Sequence, residues 1–188
     1  MNSIRAFIAV DVDESSVVAK ISAVKKSVED ENVKIKFVED NNLHLTLKFL
    51  GEVEEDLIPR IVETLSNLKH PSFKIELRGV GYFTPSYPRV LWIGIEEGGE
   101  KLSRLSAIID DEISQLGFKK EGKNFTPHLT IGRIKYVKNR HRLADKIQGL
   151  KDTVLGSFNV ENFKLKRSTL TPKGPIYETI REFRLEGV

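Results

Sequence analysis

A chain of 188 residues is long enough to fold unaided, and its 30 Lys and Arg against 27 Asp and Glu leave a formal net charge of +3. This balance permits an anionic substrate without requiring one. Because the chain contains no cysteine, disulfides, thiolate metal sites and cysteine nucleophiles are excluded, and catalysis must use histidine, carboxylate, lysine or hydroxyl groups.

The first apolar run meets Asp11 and Asp13 before it reaches the length of a signal peptide or a membrane span. We therefore expect a cytoplasmic protein that does not associate with membranes. The sequence carries no readable signal for an oligomer, and we expect a monomer.

Two periodicities alternate along the chain. Alternating or continuous β-branched and apolar residues predict strands, and helical spacing of apolar residues predicts helices between them. The predicted strands lie near residues 4–11, 34–38, 43–50, 73–81, 89–96, 127–134, 155–166 and 175–185. The predicted helices lie near residues 14–30, 54–69, 99–116 and 139–150. No linker or low-complexity tract divides the chain, so we predict an α+β fold in which residues 1–188 form one domain.

A His-x-Thr motif occurs twice, as His44-Leu45-Thr46-Leu47 and as His128-Leu129-Thr130-Ile131. Each copy is followed by Thr-Pro-x-x-Pro, at residues 84–88 and 171–175, and these begin 40 and 43 residues after the respective histidine. Because order and spacing nearly recur, we predict two intertwined lobes related by a pseudo-twofold axis. Each lobe should contain a hairpin whose turn holds the paired prolines.

The motif also suggests a chemistry. Residues two apart on a strand share a face, so His44 and Thr46 should point together, as should His128 and Thr130. A pseudo-twofold axis would bring both polar faces to one cleft. There one imidazole can take a proton from water while the other, as imidazolium, protonates a leaving oxygen in phosphodiester ring opening. The threonine hydroxyls can donate to the phosphate oxygens, and the mechanism needs no metal or other cofactor.

Other polar and aromatic residues near the motifs have open interpretations. Arg133 follows His128 by five residues and is either a charge-assisted phosphate donor or an ordinary solvated cation. Phe49 follows His44 by five residues; in a regular strand it faces away and packs in the core, unless a bulge re-aims it. The basic run at residues 138–142 either steers RNA phosphates or is a solvated helix face. We expect no catalytic role for His70 or His141.

Around the two motifs the sequence resembles the two-histidine phosphoesterase superfamily, and within it the RNA 2′,3′-cyclic phosphodiesterases historically called 2′-5′ RNA ligases. The resemblance extends over nearly the whole chain, with Ala6 at a position where relatives often carry a larger apolar residue. The segments that carry it are residues 5–11 (RAFIAVD), 42–52 (NLHLTLKFLGE), 81–83 (GYF), 90–92 (VLW) and 126–133 (TPHLTIGR).

The resemblance implies a bilobal α+β fold in which two antiparallel sheets line a V-shaped cleft with helices outside, and an activity without a metal requirement. It implies that RNA with a 2′,3′-cyclic phosphate end is the substrate and that a 2′-phosphomonoester is the product. By this analogy His44 protonates the leaving O3′, His128 is the base aligned with water, Arg133 binds phosphate and Phe49 stacks on a base.

Three alternatives remain open. Some members of the resembled family also join RNA ends through a 2′-5′ bond, in which a 5′-hydroxyl replaces water. A noncatalytic RNA-binding module would bind RNA irrespective of its end and turn nothing over. A metal site formed by the histidines would need further ligands, and no Asp or Glu lies at a recognisable ligand spacing beside them.

Overall fold

The computed structural model of the chain describes residues 2–84, 86–121, 125–172 and 174–187. Among these residues, nine strands and four α-helices follow the predicted order closely. The strands are Ser3–Asp11 (β1), Val33–Phe37 (β2), His44–Glu54 (β3), Phe73–Tyr82 (β4), Val90–Glu97 (β5), Leu129–Val137 (β6), Val154–Val160 (β7), Asn162–Thr171 (β8) and Gly174–Arg184 (β9). The helices are Ser15–Val28 (α1), Ile58–Ser66 (α2), Gly99–Ser114 (α3) and Arg140–Gly149 (α4).

The strands form two sheets in which every pairing is antiparallel. The first sheet has the order β3-β1-β8-β9, and the second has the order β2-β6-β5-β4-β7. The chain crosses repeatedly between them, because β1 and β3 belong to the first sheet while β2 belongs to the second. The predicted α+β fold with two antiparallel sheets is therefore confirmed.

Each sheet has one face in the core and one face turned away from it. On β1 the core residues are Ile4, Ala6, Ile8 and Val10, which alternate with residues of the opposite face. Helix α1 covers the core of the second sheet by packing on β7, with its buried residues at helical spacing, and α3 packs on β3 of the first sheet. Both helices thus lie on the core side of their sheets rather than on the polar faces.

One predicted strand is wrong. The segment predicted as a single strand over 155–166 is two strands, since β7 pairs with β4 in the second sheet whereas β8 pairs with β1 in the first. No glycine or proline stands between the two strands to mark the break. The clue is a change of phase: Val160 and Phe163 are both buried, although they lie three residues apart.

Two hairpins lie at the paired prolines, as predicted, but in the second one only Pro172 is in the turn, because Pro175 is already in β9, opposite Leu170. The hairpins are β4–β5 and β8–β9, and in the second turn the Thr171 hydroxyl donates to the Gly174 carbonyl at 2.6 Å. Pro85 and Lys173, which belong to these turn motifs, lie outside the described residues. In the described part of the chain, no helix combines the length and apolar character that crossing a bilayer requires.

Candidate active site

The two motif histidines make the same backbone hydrogen bond. Nδ1 of His44 lies 2.7 Å from the carbonyl oxygen of Asn42, and Nδ1 of His128 lies 2.8 Å from that of Thr126, in each case two residues earlier. Because a carbonyl oxygen only accepts, Nδ1 carries a hydrogen and donates it. Nε2 of each ring is then left to accept a proton as neutral imidazole or to give one as imidazolium.

Aromatic side chains fix the planes of both imidazoles. The His44 ring contacts Phe7 at 5.0 Å between centroids and Tyr177, edge to face, at 5.2 Å. The His128 ring contacts Phe83 at 5.0 Å with an interplanar angle of 89°. Both histidines are thus pre-oriented by a backbone bond and an aromatic wall, which is what acid–base chemistry at a fixed atom requires.

A bulge interrupts each motif strand just beyond its threonine. On β3, Thr46 lies opposite Ala9 and Phe49 lies opposite Phe7, so Thr46 and Phe49 share a face because their partners are two residues apart on β1. The extra residue is Leu47, since Lys48 already lies opposite Ile8.

The second motif strand repeats this arrangement. On β6, Thr130 lies opposite Trp92 and Arg133 lies opposite Val90, again two residues apart on the partner strand, and the extra residue is Ile131. Arg133 therefore lies on the same face as Thr130, while His128 directly precedes the first residue of β6.

Phe49 does not pack in the core. Its side chain is 64% exposed, and its ring lies 6.4 Å from that of Phe7, which also contacts His44. The core-packing default for a regular strand is wrong here because the bulge at Leu47 turns Phe49 onto the histidine face.

The two motif strands lie close to each other across the sheets. Strands β3 and β6 contact one another although they belong to different sheets. Burial raises the pKa of Tyr177, and the charges of Arg133 and Arg5 oppose this effect. Tyr177 contacts His44 in the first sheet, whereas Arg133 belongs to the second. The charge of Arg133 in the second sheet consequently acts on Tyr177, the residue that contacts the His44 ring in the first sheet.

A buried ion pair lies beside His44. Lys166 is 6% exposed, and its ammonium donates to Asp11 at 2.5 Å, while Lys164 donates to the other oxygen of the same carboxylate at 2.9 Å. Burial lowers the pKa of His44, the bond to the Asn42 carbonyl opposes this, Lys166 lowers it further and Asp11 raises it. In the free protein these effects together favour the neutral imidazole at His44.

Sequence reasoning missed Phe7, Phe83, Tyr177, Asp11 and Lys166. One of them had a readable signal, since Phe83 immediately precedes the first paired-proline turn. Phe7 lies in a continuous apolar run over residues 6–10, in which no alternation marks its face. Lys166 had none, because the merged strand prediction placed it at a strand end and only the pairing of β1 with β8 brings it opposite Phe7.

The other two histidines lie outside this arrangement. His70 is buried against Phe73, with its Nδ1 2.7 Å from the Pro71 carbonyl, and His141 is exposed on α4. Within the described ranges, no group of three or more His, Asp or Glu side chains is arranged to hold a metal ion.

Comparisons with known proteins agree on one family. The profile of the 2′-5′ RNA ligase superfamily matches residues 13–169. An Archaeoglobus fulgidus protein named RNA 2′,3′-cyclic phosphodiesterase is 43% identical over 180 residues, which cover 95% of this chain and 99% of that protein. A protein of the same name from Methanothermobacter thermautotrophicus is 41% identical over 185 residues, covering 97% and 99%. A crystal structure from Thermus thermophilus has a TM-score of 0.80 and 31% identity, covering 98% of this chain and 99% of that one.

Proposed function

The chain belongs to the 2′-5′ RNA ligase superfamily, and we propose that it hydrolyses RNA 2′,3′-cyclic phosphates with His44 and His128 as its acid and base. The observation that carries the proposal is the matched pair of imidazoles, each with Nδ1 bonded to the carbonyl two residues before it. His44 is the first residue of the bulged strand β3, and His128 directly precedes the bulged strand β6. The proposal treats residues 1–188 as one bilobal domain that acts as a monomer in the cytoplasm.

The reaction exchanges one P–O bond for another. His128 Nε2 takes a proton from water as the water oxygen bonds to phosphorus, and His44 gives its Nε2 proton to O3′ as the P–O3′ bond breaks. The products are a 2′-phosphomonoester and a free 3′-hydroxyl. Burial of His44 disfavours its protonated form in the free protein, so the negative charge of the bound phosphate supplies the attraction that keeps the acid protonated.

The remaining site residues stabilise the phosphate. Thr46 and Thr130 are half-buried on the histidine faces, where their hydroxyls donate to the non-bridging oxygens. Arg133 adds a charge-assisted donor, and Phe49 presents an exposed ring for stacking on the terminal base. Ligation would use the same acid and base with an RNA 5′-hydroxyl in place of water.

The test is a product assay with an oligoribonucleotide that ends in a 2′,3′-cyclic phosphate. The wild-type protein should release a 2′-phosphomonoester end in the presence of EDTA. His44→Ala and His128→Ala should each abolish turnover while thermal unfolding stays cooperative. His141→Ala removes an exposed histidine of α4 and serves as the matched control, with activity retained.

Several outcomes would contradict the proposal. Full activity in either motif-histidine variant would remove the acid–base pair. Loss of wild-type activity with the chelator would revive the metal-site alternative. RNA binding without any turnover would favour the noncatalytic module.

A further inference from the structure

A groove of about 260 Å³ lies beyond the histidine site, at the far end of β6. Its walls include the rings of Tyr87, in the turn between β4 and β5, and of Tyr136, on β6. These two side chains are 54% and 60% exposed, respectively. Pro88, Lys135 and Arg140 complete most of the lining. The groove thus combines exposed π faces with cations and plays no part in the mechanism given above.

The charge of this region differs from that of the chain as a whole. Residues 125–144 contain five Lys and Arg and no Asp or Glu, in a chain whose net charge is only +3. The guanidinium of Arg89 lies 4.8 Å from the centroid of the Tyr87 ring. Among the residues that the structure describes, no carboxylate lies within ion-pair distance of Lys135, Lys138 or Arg140, whereas Arg142 is paired with Asp30 at 2.7 Å. The cations around the groove are therefore available to an anion.

The groove continues the face that carries the candidate phosphate site. On β2, Lys36 lies opposite Arg133 and Lys34 lies opposite Tyr136. Lys34 and Lys36 are two residues apart, so Arg133 and Tyr136 share one face of the second sheet. At about 3.3 Å per residue, Lys34 and Lys36 are roughly 7 Å apart, and Tyr136 lies about as far along β6 from Arg133. This is a distance that a few nucleotides of a single strand can cover.

We propose that the groove of Tyr87 and Tyr136 binds the nucleotides on the 5′ side of the cyclic-phosphate end of a single-stranded RNA. The two rings stack on bases, and Lys135, Arg140 and Lys138 contact the phosphates of the same strand. This inference rests on the proposed function, because the reactive end must occupy the histidine site for the upstream strand to reach the groove. The preferred substrate is then an RNA with a single-stranded 3′ tail. An enzyme without such a groove would select the terminal nucleotide alone.

The test compares two substrates in one enzyme. The wild-type protein should have a lower KM for a single-stranded oligoribonucleotide with a 2′,3′-cyclic phosphate than for a 2′,3′-cyclic mononucleotide. Tyr136→Ala should raise the KM of the oligonucleotide by roughly five- to 150-fold, the range for one lost stacking contact. The same variant should leave kcat and the KM of the mononucleotide unchanged. Tyr136→Phe keeps the ring and should behave as wild type.

A second pair of variants tests the charge. Arg140→Gln should reduce the salt dependence of oligonucleotide affinity, since one phosphate contact is lost. Arg104→Gln, at an exposed position on α3, is the matched control and should leave the salt dependence unchanged. Affinity is measured by fluorescence anisotropy with a labelled single-stranded RNA, which requires no turnover.

The outcomes separate this inference from the function on which it rests. Turnover of both substrates with the same KM, unchanged in Tyr136→Ala, would overturn the groove assignment and leave the phosphodiesterase intact. The same result would follow if the groove bound a protein partner. Equal losses on both substrates would also overturn it, because they would make Tyr136 a structural residue. If wild-type protein turns over neither substrate, the proposed function fails, and the anisotropy titrations with Tyr136→Ala still decide whether the groove holds RNA.

Discussion

Phe49 and Arg133 occupy equivalent positions in the two halves of the molecule, five residues after His44 and His128 respectively, and a one-residue bulge turns each onto the face of its motif threonine. The scaffold is pseudo-symmetric at these positions, but the chemistry is not. An aromatic ring at one position suits a base, whereas a guanidinium at the other suits a phosphate. The bulges therefore repeat in both strands, and the difference between Phe49 and Arg133 makes the proposed site asymmetric.

Each bulge is stabilised at the carbonyl of its extra residue. The Ser106 hydroxyl on α3 donates to the Leu47 carbonyl at 2.7 Å, and the Val38 amide donates to the Ile131 carbonyl at 2.9 Å. The difference follows from topology, since β6 has β2 beside it while β3 is the edge strand of its sheet. The bulge carbonyl of β3 thus accepts its hydrogen bond from a helix side chain, whereas that of β6 accepts one from the backbone just after the neighbouring strand.

Ser106→Ala should destabilise the protein and loosen the β3 bulge. Ser106 is buried, so its loss leaves the Leu47 carbonyl without this partner and should lower the free energy of unfolding by about 1–3 kcal/mol. Chemical denaturation measures this loss. Ser103→Ala is the control in the same helix, because the Ser103 hydroxyl bonds only the Gly99 carbonyl one turn earlier, and the change should be within about 0.5 kcal/mol. Equal effects of the two variants would contradict the role of Ser106.

Phe49→Ala should weaken substrate binding with little effect on folding. Because the ring is 64% exposed, its removal creates no core cavity, while the loss of one stacking contact costs about 1–3 kcal/mol in binding. Steady-state kinetics with a 2′,3′-cyclic mononucleotide should show a raised KM. Leu170→Ala, which removes another exposed apolar side chain, should leave KM unchanged. A Phe49→Ala enzyme with wild-type KM would rule out base stacking at this residue.

The sequence was most informative where local pattern and chemistry coincide. Alternation around the two motifs predicted both strands, because residues two apart on a strand share a side, although β6 begins at Leu129, one residue after His128. It could not place Phe49, since a bulge arises from contacts with β1 and α3 that are distant in sequence. It also could not find Lys166, whose position beside His44 depends on β8 pairing with β1 after a strand break that no breaker residue marks.

The pH dependence of kcat and kcat/KM should differ. An acid must be protonated, so activity falls as the pH rises through its pKa. In the free protein the pKa of His44 lies below its ordinary value of 6.5, chiefly because of burial. The midpoint of the alkaline limb of kcat/KM should therefore lie below about pH 6.5. The bound phosphate monoanion raises this pKa, so the alkaline limb of kcat should lie at higher pH. His44 would be excluded as the acid if the alkaline limbs of kcat and kcat/KM had the same midpoint. It would also be excluded if a nucleoside 2′-monophosphate did not shift the NMR titration of His44.

Asp11→Asn and Lys166→Met should move the alkaline limb of kcat/KM in opposite directions. The Asp11 carboxylate favours the His44 imidazolium, so its removal should lower the pKa of His44 and shift the limb to lower pH. The Lys166 ammonium disfavours the imidazolium, so its removal should shift the limb to higher pH. Both variants break the same 2.5 Å ion pair and keep the bond from His44 Nδ1 to the Asn42 carbonyl, so a purely structural effect would lower activity in both without opposite shifts. Limbs that move together would therefore contradict electrostatic control of His44 by this pair.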